Sequence, residues 1–376
     1  MIQQKPRIII SVKRARLRKQ KPAIDRKLLG VTLFLTFVGI IAVADASAPQ
    51  ALNIFGDKFH FLKGQLVWAG VGFIALLVAA KINYRFWEKV ATPVFGVCLL
   101  LLIAVLIPGV GARFLGARRW ITLGPVPFQP SEIVKFGLVL FMAKFISKKA
   151  PSIWYFLPVV LVAALVMIEP DLGTTLIILA AATIQIFASK INLFQFGGLG
   201  ILGVIAVALL TVTSPYRRER LFTYLESARD PLGHSYHIRQ VLLALGSGGL
   251  FGVGLGQSRQ KFLFLPEAAT DSIFAVIAEE IGFIGALILL FVFAFFIFGA
   301  LKIVKNAPDT FSQFLALGIC AWIGGQVILN IAAMTALVPL TGIPLPFISY
   351  GGSSLVMVLF ATGILLNISK FTTHDK

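Results

Sequence analysis

Two carboxylates stand where a polar, arginine-rich stretch meets a long apolar segment. Asp271 is the last residue before that segment, and Glu267 lies four positions earlier in LPEAAT. A carboxylate at such a boundary can act as a general base toward a hydroxyl group, while nearby cations hold a phosphate. The simpler interpretation is that Thr270 or Asp271 caps the following helix, and the spacing alone favours the cap.

A second set of charges lies inside an apolar segment. Glu132 and Lys135 are three positions apart and therefore share one face of a helix. A charge in a membrane costs roughly 2.5–3.5 kcal/mol unless it is paired or faces a wet cavity. The spacing fits a structural ion pair and a substrate cavity equally well. Gln326 and Asn330, four apart on a later segment, would polarise the same cavity or bridge helices.

The elements that position these groups are membrane helices. The chain of 376 residues is 58% hydrophobic and only 13% charged, which leaves too little polar surface for a soluble protein of this size. Apolar runs of about 17–25 residues recur, the length that crosses a hydrocarbon core. The two cysteines and four histidines show no metal-ligand spacing, and the glycine clusters match no nucleotide-binding pattern.

We predict an all-α integral membrane protein with about ten transmembrane helices. A basic cytoplasmic tail (1–27) precedes the membrane domain (28–370), and a short cytoplasmic tail (371–376) follows it. A large extracytoplasmic loop (about 214–271) separates spans 7 and 8. The predicted spans are Leu28–Ala46, Gln65–Ile82, Val90–Pro108, Ser131–Ser147, Trp154–Ile168, Gly173–Ala188, Leu193–Thr213, Ser272–Leu301, Phe311–Met334 and Ser349–Ile368.

The positions of Lys and Arg predict the orientation of these spans. With both termini in the cytoplasm, every second loop is basic, as the positive-inside rule requires. The basic N-terminal tail fits a topology signal and a contact with anionic lipid better than a nucleic-acid-binding arm, because no aromatic residues are interleaved with its charges. Two regions predicted to lie outside the cell also carry Lys and Arg, against this rule. These cations are therefore expected to have a role other than setting the topology. These cations are Arg113, Arg118, Arg119, Arg217, Arg218, Arg220, Arg229, Arg239, Arg259 and Lys261.

A segment rich in proline, glycine and hydroxyl groups precedes the last span. It runs from 339 to 354 and includes Ser349 and Ser353. Irregular backbone near membrane depth is tolerated only where it lines protein or a cavity. The composition therefore predicts a wall of a site, and a stiff connecting loop is an equally good interpretation.

Four motifs occur in order along the chain. They are GARRWITLGPVPFQPSEIVKF (116–136), EPDLGT (169–174), GSGGLFGVGLGQSRQKFLFLPEAATDSIFAVIAEEIG (246–282) and PLPFISYGGSS (344–354). Together they resemble the signatures of the SEDS family, the FtsW, RodA and SpoVE proteins, over nearly the whole membrane domain. The compact spacing of GLGQSRQKFLFLPE is more similar to the FtsW branch than to the RodA branch.

The resemblance implies a peptidoglycan glycosyltransferase in the bacterial cytoplasmic membrane, which polymerises lipid II into β-1,4 glycan strands on the outer face. Asp271 would be the catalytic carboxylate that takes the proton of a sugar 4-hydroxyl while undecaprenyl pyrophosphate leaves with inversion. The implied partners are lipid II, undecaprenyl-linked glycan, a class b penicillin-binding protein that crosslinks the strands, and other divisome or elongasome membrane proteins. No nucleic acid is implied.

The resemblance also implies a set of substrate-binding residues. A divalent cation, Mg²⁺ or Mn²⁺, would help neutralise the pyrophosphate, but the sequence shows no committed metal site and no other cofactor is assigned. Glu169 and Ser272 depart from the Gln and the aromatic residue that are common in the family. The implied substrate-binding residues are Arg118, Arg119, Glu132, Lys135, Arg217, Gln240, Lys261, Glu267, Asn330, Ser349 and Ser353.

Two other classes of function stay open. A lipid II flippase or secondary transporter would use the Glu132/Lys135 pair as its translocation site, although the sequence shows neither an internal repeat nor paired broken helices. A non-catalytic scaffold of the division machinery would use the outer loop only to dock a partner.

Overall fold

The computed structural model of the chain describes residues 24–114, 117–123, 126–149, 151–189, 191, 194–198, 200, 203 and 236–372. Most of the basic tail, most of the seventh predicted span and the first part of the predicted outer loop lie outside these residues. The strands are β1 (Gly111–Phe114), β2 (Ala117–Leu123) and β3 (Val126–Phe128). The longer helices are α1 (Arg26–Phe55), α2 (His60–Lys81), α3 (Tyr84–Leu106), α4 (Pro130–Ser147), α5 (Phe156–Ile168), α6 (Leu172–Ala188), α7 (Tyr236–Ser247), α8 (Ile273–Lys305), α9 (Thr310–Met334) and α10 (Gly352–Ser369).

Apolar helices make up most of the described chain. Six of those in the described ranges, α1, α2, α3, α8, α9 and α10, are long and apolar enough to cross a membrane, and α5 and α6 are shorter apolar helices. Each predicted span other than the seventh falls on a helix, and α1 extends past the predicted end at Ala46 to Phe55. The helical membrane architecture predicted from hydropathy is therefore confirmed for this part of the chain.

The helices form a buried centre and a lipid-facing ring. Of the 18 most apolar consecutive residues in each helix, 72% are buried in α9 and 78% in α10. In α1, α2, α3 and α8 the buried share is 22–33%. Small residues let the central helices approach their neighbours closely. A Cβ on Gly363 of α10, for example, would lie 2.4 Å from the Leu76 carbonyl oxygen of α2. The outer helices carry exposed aromatic side chains, such as Phe291 and Phe298 of α8, which face lipid.

A three-stranded antiparallel sheet follows α3, so the all-α prediction was wrong in this detail. β1 pairs with β2 and β2 with β3, which makes two consecutive hairpins before α4 begins. Strands this short carry too little alternation of polar and apolar residues to stand out in a sequence of long apolar helices. Arg118 and Arg119 are successive residues of β2 at a bulge in its pairing with β1, where Arg118 pairs with Arg113 and Trp120 with Ala112.

Helix α8 is broken near its start, although the sequence predicted one continuous tilted span. Gly282 has φ 69° and ψ −175°, a conformation that essentially only glycine adopts. The part after Gly282 is long enough by itself to cross a hydrocarbon core of about 30 Å. The part from Ile273 to the break is therefore not needed to span the membrane, and its residues from Ile273 to Glu280 are buried within the protein.

The glycine-rich segment 246–256 supplies backbone partners at this break. Two of its carbonyl oxygens accept the amides of Phe283 and Ile284, which follow the break, and two of its amides donate to the carbonyl oxygens of Glu279 and Glu280, which precede it. Backbone groups that lose their intrahelical partners are thus satisfied within the protein, as a membrane environment requires. The glycines, to which the sequence alone assigned no role, permit this close approach.

Replacement of Gly252 by alanine should destabilise the protein by about 2 kcal/mol or more. Gly252 has φ +84°, and a Cβ there would lie 2.1 Å from the Glu280 carbonyl oxygen and 2.7 Å from the Gly282 nitrogen. These backbone atoms cannot rotate away, so the segment must separate from α8. The matched control Gly246→Ala, where no atom lies within 4 Å of the new Cβ, should leave stability equal or slightly higher. Thermal unfolding in detergent measures both, and equal melting temperatures for Gly252→Ala and wild type would contradict the prediction.

Candidate functional site

Four helices begin at one end of the bundle, and their first turns are joined. These are α4, α6, α8 and α10. The backbone amide of Gln129, just before α4, donates to Ser353 Oγ in the first turn of α10 at 3.2 Å. The Gln129 side chain donates from Nε2 to Oδ2 of Asp171, the N-cap of α6, at 3.4 Å. Helix N-termini carry partial positive charge and unpaired N–H groups, so this end of the bundle attracts anions.

Asp271 lies at this end, where the outer loop meets α8. Its side chain is half-buried, and a Cβ on Gly342 would lie 3.3 Å from Asp271 Oδ2, so glycine at 342 leaves room beside the carboxylate. The Asp271 carbonyl oxygen accepts Nδ2 of Asn330 at 2.9 Å, and the same amide group donates to the Ile343 carbonyl oxygen at 2.8 Å. Asn330 of α9 therefore fixes the backbone of Asp271 against the irregular segment.

Ser349 ties the irregular segment to the residues that precede Asp271. Its Oγ donates to the Thr270 carbonyl oxygen at 2.6 Å, and the amide of Tyr350 donates to the Ala269 carbonyl oxygen at 2.9 Å. The segment predicted as a site wall and the residue predicted as the base are therefore held together. This contact supports the site-wall interpretation of 339–354 over that of a connecting loop.

The N-cap position of α8 belongs to Ser272, so the interpretation of Thr270 or Asp271 as the cap was wrong. Ser272 makes no capping hydrogen bond with its side chain. Its buried Oγ instead lies 2.8 Å from Nε2 of His237 at the start of α7. Gln240 lies one turn further along α7 and shares that face. The contact between the two helices thus brings the predicted Gln240 to the same region as the predicted base.

Glu267 is exposed and shapes the turn before Asp271. It has φ +51°, and its carboxylate accepts Oγ1 of Thr270 at 2.7 Å. Its carbonyl oxygen accepts the amide of Ser272 at 3.1 Å. Glu267 therefore has a clear structural role in presenting Asp271, in addition to the substrate contact predicted for it.

Glu132 and Lys135 form a buried ion pair in α4. Nζ of Lys135 lies 2.7 Å from Oε1 of Glu132 and 3.1 Å from Oε1 of Gln326, and both charged residues are 3% exposed. Gln326 in turn donates from Nε2 to the Pro344 carbonyl oxygen at 2.9 Å. The pair is therefore linked through α9 to the irregular segment that contacts the backbone around Asp271.

Arg119 holds the link between α5 and α6. Its Nε donates to the Glu169 carbonyl oxygen at 3.0 Å, and its Nη2 donates to that of Pro170. Arg118, predicted to line the same cavity as Arg119, is the preceding residue of β2 at the bulge in its pairing with β1. Arg217, also predicted to bind substrate, lies outside the described residues.

Lys261 is held by carboxylates, and the substrate-binding role that the resemblance implied for it stays a prediction. Its Nζ lies 2.6 and 2.8 Å from the two oxygens of Asp45 in α1 and 2.8 Å from Oε1 of Glu280 in α8. These contacts use all three N–H donors of the ammonium group. Burial alone would lower the pKa of Lys261, but the two carboxylates outweigh burial and raise that pKa above its ordinary value. The cluster joins α1 to α8 through the loop.

Glu169 is a buried acid that sequence reasoning noted only as a departure from the family pattern. It follows α5, is 1% exposed, and its carboxyl oxygens have no hydrogen-bond partner within the described ranges. Burial, with a smaller effect of Asp171, raises the pKa of Glu169 to about 9 although Arg119 opposes the shift. The side chain is therefore protonated and neutral at pH 7.

Replacement of Glu169 by glutamine should flatten the pH dependence of stability. The folded state binds the Glu169 proton more tightly than the unfolded chain, so the wild type should lose stability as pH rises from about 5 to about 9. Glutamine has nearly the same shape and does not titrate. Melting temperatures of Glu169→Gln should therefore exceed those of wild type increasingly toward pH 9. The exposed carboxylate control Glu267→Gln should keep the wild-type slope, and equal slopes for wild type and Glu169→Gln would contradict the assignment.

A metal site was left open by the sequence. Within the described ranges, no group of three or more His, Cys, Asp or Glu side chains is arranged to hold a metal ion. Mg²⁺ commonly binds through substrate phosphates with only one or two carboxylates. The divalent cation that would help neutralise the pyrophosphate stays a prediction.

The arrangement of helices and motifs matches a known family. A family model described as "Cell cycle protein", covering FtsW, RodA and SpoVE, matches residues 26–374. The chain belongs to this family. Among FtsW/RodA/SpoVE relatives, stage V sporulation protein E of Bacillus subtilis is 42% identical over 363 residues, covering 94% of this chain and 99% of that protein. A probable peptidoglycan glycosyltransferase FtsW of Trichlorobacter lovleyi is 42% identical over 353 residues, covering 92% and 93%.

Solved structures of the FtsW/RodA/SpoVE family share the fold. A chain of a peptidoglycan synthase complex, described as coordinating polymerization and crosslinking, aligns with a TM-score of 0.76 at 28% identity and covers 94% of this chain and 99% of its own. Rod shape determining protein RodA of Thermus thermophilus aligns with a TM-score of 0.70 at 27% identity, with the same coverage. The resemblance predicted from four motifs is thus confirmed over nearly the whole chain, and the protein is a multi-pass membrane protein.

Proposed function

We propose that this protein is a peptidoglycan glycosyltransferase that polymerises lipid II into β-1,4 glycan strands. The observation that carries the proposal is the position of Asp271, half-buried where helix N-termini meet and with its backbone held by Asn330. A carboxylate at this position can act as a base toward a hydroxyl group, and the helix N-termini around it attract phosphate. The FtsW relatives of Trichlorobacter lovleyi and Geobacter metallireducens, named probable peptidoglycan glycosyltransferases, support the same activity.

In the proposed reaction, Asp271 accepts the proton of the acceptor sugar 4-hydroxyl. The hydroxyl oxygen attacks the anomeric carbon of the lipid-linked donor, and the bond from that carbon to the pyrophosphate oxygen breaks. Undecaprenyl pyrophosphate leaves with the electron pair of that bond. Attack from the face opposite the leaving group converts the α-linked donor into a β-1,4 linkage. General base catalysis of this kind typically contributes about 10²–10⁴-fold to the rate.

The leaving pyrophosphate needs positive charge. The first turns of α4, α6, α8 and α10 supply partial charges and N–H groups at the end of the bundle where Asp271 lies. Arg119 uses some of its N–H donors on the link between α5 and α6 and keeps others for an anion. We include Arg118, Gln240, Glu267 and Ser353 in this proposal as substrate contacts.

The proposed topology follows from the reaction. Ten spans, with the seventh in the region 193–213, would place both termini in the cytoplasm and the helix N-termini around Asp271 at the outer face. The distribution of Lys and Arg supports this orientation. The proposed partner is a class b penicillin-binding protein, together with other divisome or elongasome membrane proteins. The similarity to a chain of a peptidoglycan synthase complex supports a partner that crosslinks the strands.

Polymerisation of labelled lipid II by the purified protein tests the proposal. The protein is assayed with and without its class b penicillin-binding protein, whose crosslinking is blocked so that linear strands can be separated by length. A ladder of glycan strands that depends on this chain is the expected result. Movement of labelled lipid II across sealed vesicles without any polymer would show a transporter instead. Neither activity in any complex would favour the scaffold.

A further inference from the structure

A cationic cavity lies at the end of the bundle opposite Asp271, where α1 begins and α8 and α10 end. Its volume is about 320 Å³. Arg26 and Lys27 of α1 and Lys302 of α8 line it, together with the polar side chains of Asn306 and Ser369. Neither the proposed reaction nor the Asp271 site uses this cavity.

An apolar groove of about 360 Å³ lies further into the membrane between the same two helices. Its walls are Val31 and Phe34 of α1 and Phe291 and Phe295 of α8, and Gly30 leaves its floor open because no atom lies within 4 Å of the Cβ position. Phe34, Phe291 and Phe295 are half exposed or more, so the groove opens to lipid. Its depth and lining suit a hydrocarbon chain.

The cavity and the groove follow each other along one seam between α1 and α8. Lys27, Val31 and Phe34 are spaced four and three residues apart and therefore share one face of α1. Between the two openings the helices touch, because Leu28 Cδ1 lies 3.3 Å from the Cβ position of Gly299. A molecule with a charged head and an apolar chain can follow this seam from the membrane surface into the bilayer.

The charge of the cavity is positive. The one carboxylate among the residues that line it is Asp25, and its Oδ1 is occupied as the N-cap of α1 by the amides of Lys27 and Leu28. Arg26 and Lys27 stand at the positive end of the α1 dipole, where cations are unfavourable unless an anion is nearby. With three cations, Arg26, Lys27 and Lys302, against the one carboxylate of Asp25, the cavity keeps a net positive charge that an anion can neutralise.

We propose that this seam binds an anionic phospholipid from the leaflet that faces the two termini. The phosphate of the head group lies in the cavity with Arg26, Lys27 and Lys302, and one acyl chain lies in the groove. Basic pockets between membrane helices on the cytoplasmic side recognise anionic head groups, and each Lys or Arg near the surface strengthens the attraction. Arg26 and Lys27, the last cations of the basic tail that the sequence relates to anionic lipid, line this cavity. The inference does not depend on the proposed enzyme activity.

Lipid binding to the detergent-purified chain, followed by native mass spectrometry, tests the head-group contact. Phosphatidylglycerol and phosphatidylcholine with identical chains are compared. Wild type should bind phosphatidylglycerol preferentially, and Lys27→Gln/Lys302→Gln should lower its affinity about tenfold or more. The matched control Lys89→Gln/Lys148→Gln removes two exposed cations that do not line the cavity and should keep wild-type binding. An equal loss in both double variants, or in neither, overturns the proposal.

A second variant tests the acyl-chain contact. Gly30→Leu places a side chain in the groove, and its Cβ meets no atom within 4 Å, so it should weaken phosphatidylglycerol binding severalfold while leaving the cationic cavity intact. Glycerol 3-phosphate, which carries the head group without chains, should compete about 100-fold more weakly than the lipid. Equal competition by glycerol 3-phosphate, with no effect of Gly30→Leu, would show a site for a small anion and overturn the lipid assignment.

Discussion

Replacement of Asp271 by alanine should lower lipid II polymerisation by about 10²–10⁴-fold and leave the protein folded. Two contacts that fix this position use main-chain atoms: the Asp271 carbonyl oxygen accepts Asn330, and the preceding Thr270 carbonyl oxygen accepts Ser349. Alanine preserves both contacts. The loss should therefore appear in the rate of chain growth, measured with the class b partner present, and not in the melting temperature.

Two further variants separate base chemistry from charge. Asp271→Asn keeps the shape of the side chain but cannot accept the proton, so it should be nearly as inactive as Asp271→Ala. Glu267→Ala removes the other carboxylate of the turn, and we expect it to retain far more activity because Glu267 is exposed and is engaged with Thr270. Full polymerisation by Asp271→Asn would contradict the base assignment, and an inactive Glu267→Ala beside an active Asp271→Ala would move the base to Glu267.

Hydropathy predicted the parts of the fold that depend on local composition. The apolar runs became membrane helices in the described residues, and the end of one run placed Asp271 at the start of α8. The cap was misjudged by one residue, because a contact from another helix decides it. Ser272 takes the N-cap position while its side chain contacts His237 of α7. No spacing rule within LPEAATD contains that information.

The features that the sequence missed depend on distant partners. Gly282 lies in an ordinary apolar run, and its break is stable only because the segment 246–256 supplies hydrogen bonds to both sides. The resemblance implied a substrate contact for Lys261, but sequence reasoning did not identify its ion-pair partner Asp45, which stands 216 residues away. The signal that could have indicated the cluster of Asp45, Lys261 and Glu280 was the presence of a charged residue, Asp45, inside the first apolar run.

Removal of one partner of the buried pair in α4 should destabilise the protein by about 3–5 kcal/mol. In Lys135→Met the Glu132 carboxylate stays at 3% exposure without its cation, and Oε2 of Glu132 already has no hydrogen-bond partner in the described part of the chain. The double variant Glu132→Gln/Lys135→Met removes both charges and should recover most of this loss. Thermal unfolding of the two single variants and the double variant gives the coupling free energy of the pair.

The activity of the double variant then separates a structural pair from a translocation site and from a positioning role. Lys135 reaches the irregular segment through Gln326 and Pro344, so loss of its ammonium group should loosen the wall beside Asp271 even when stability is restored. We therefore expect the stable double variant to polymerise lipid II at least about tenfold more slowly, with Asp271 still required for the residual activity. Wild-type polymerisation by this variant, with unchanged lipid movement in vesicles, would make the pair purely structural. Unchanged polymerisation with lost lipid movement in vesicles would instead assign the pair to transport, because only a translocation site needs the charges after the fold and the base are intact.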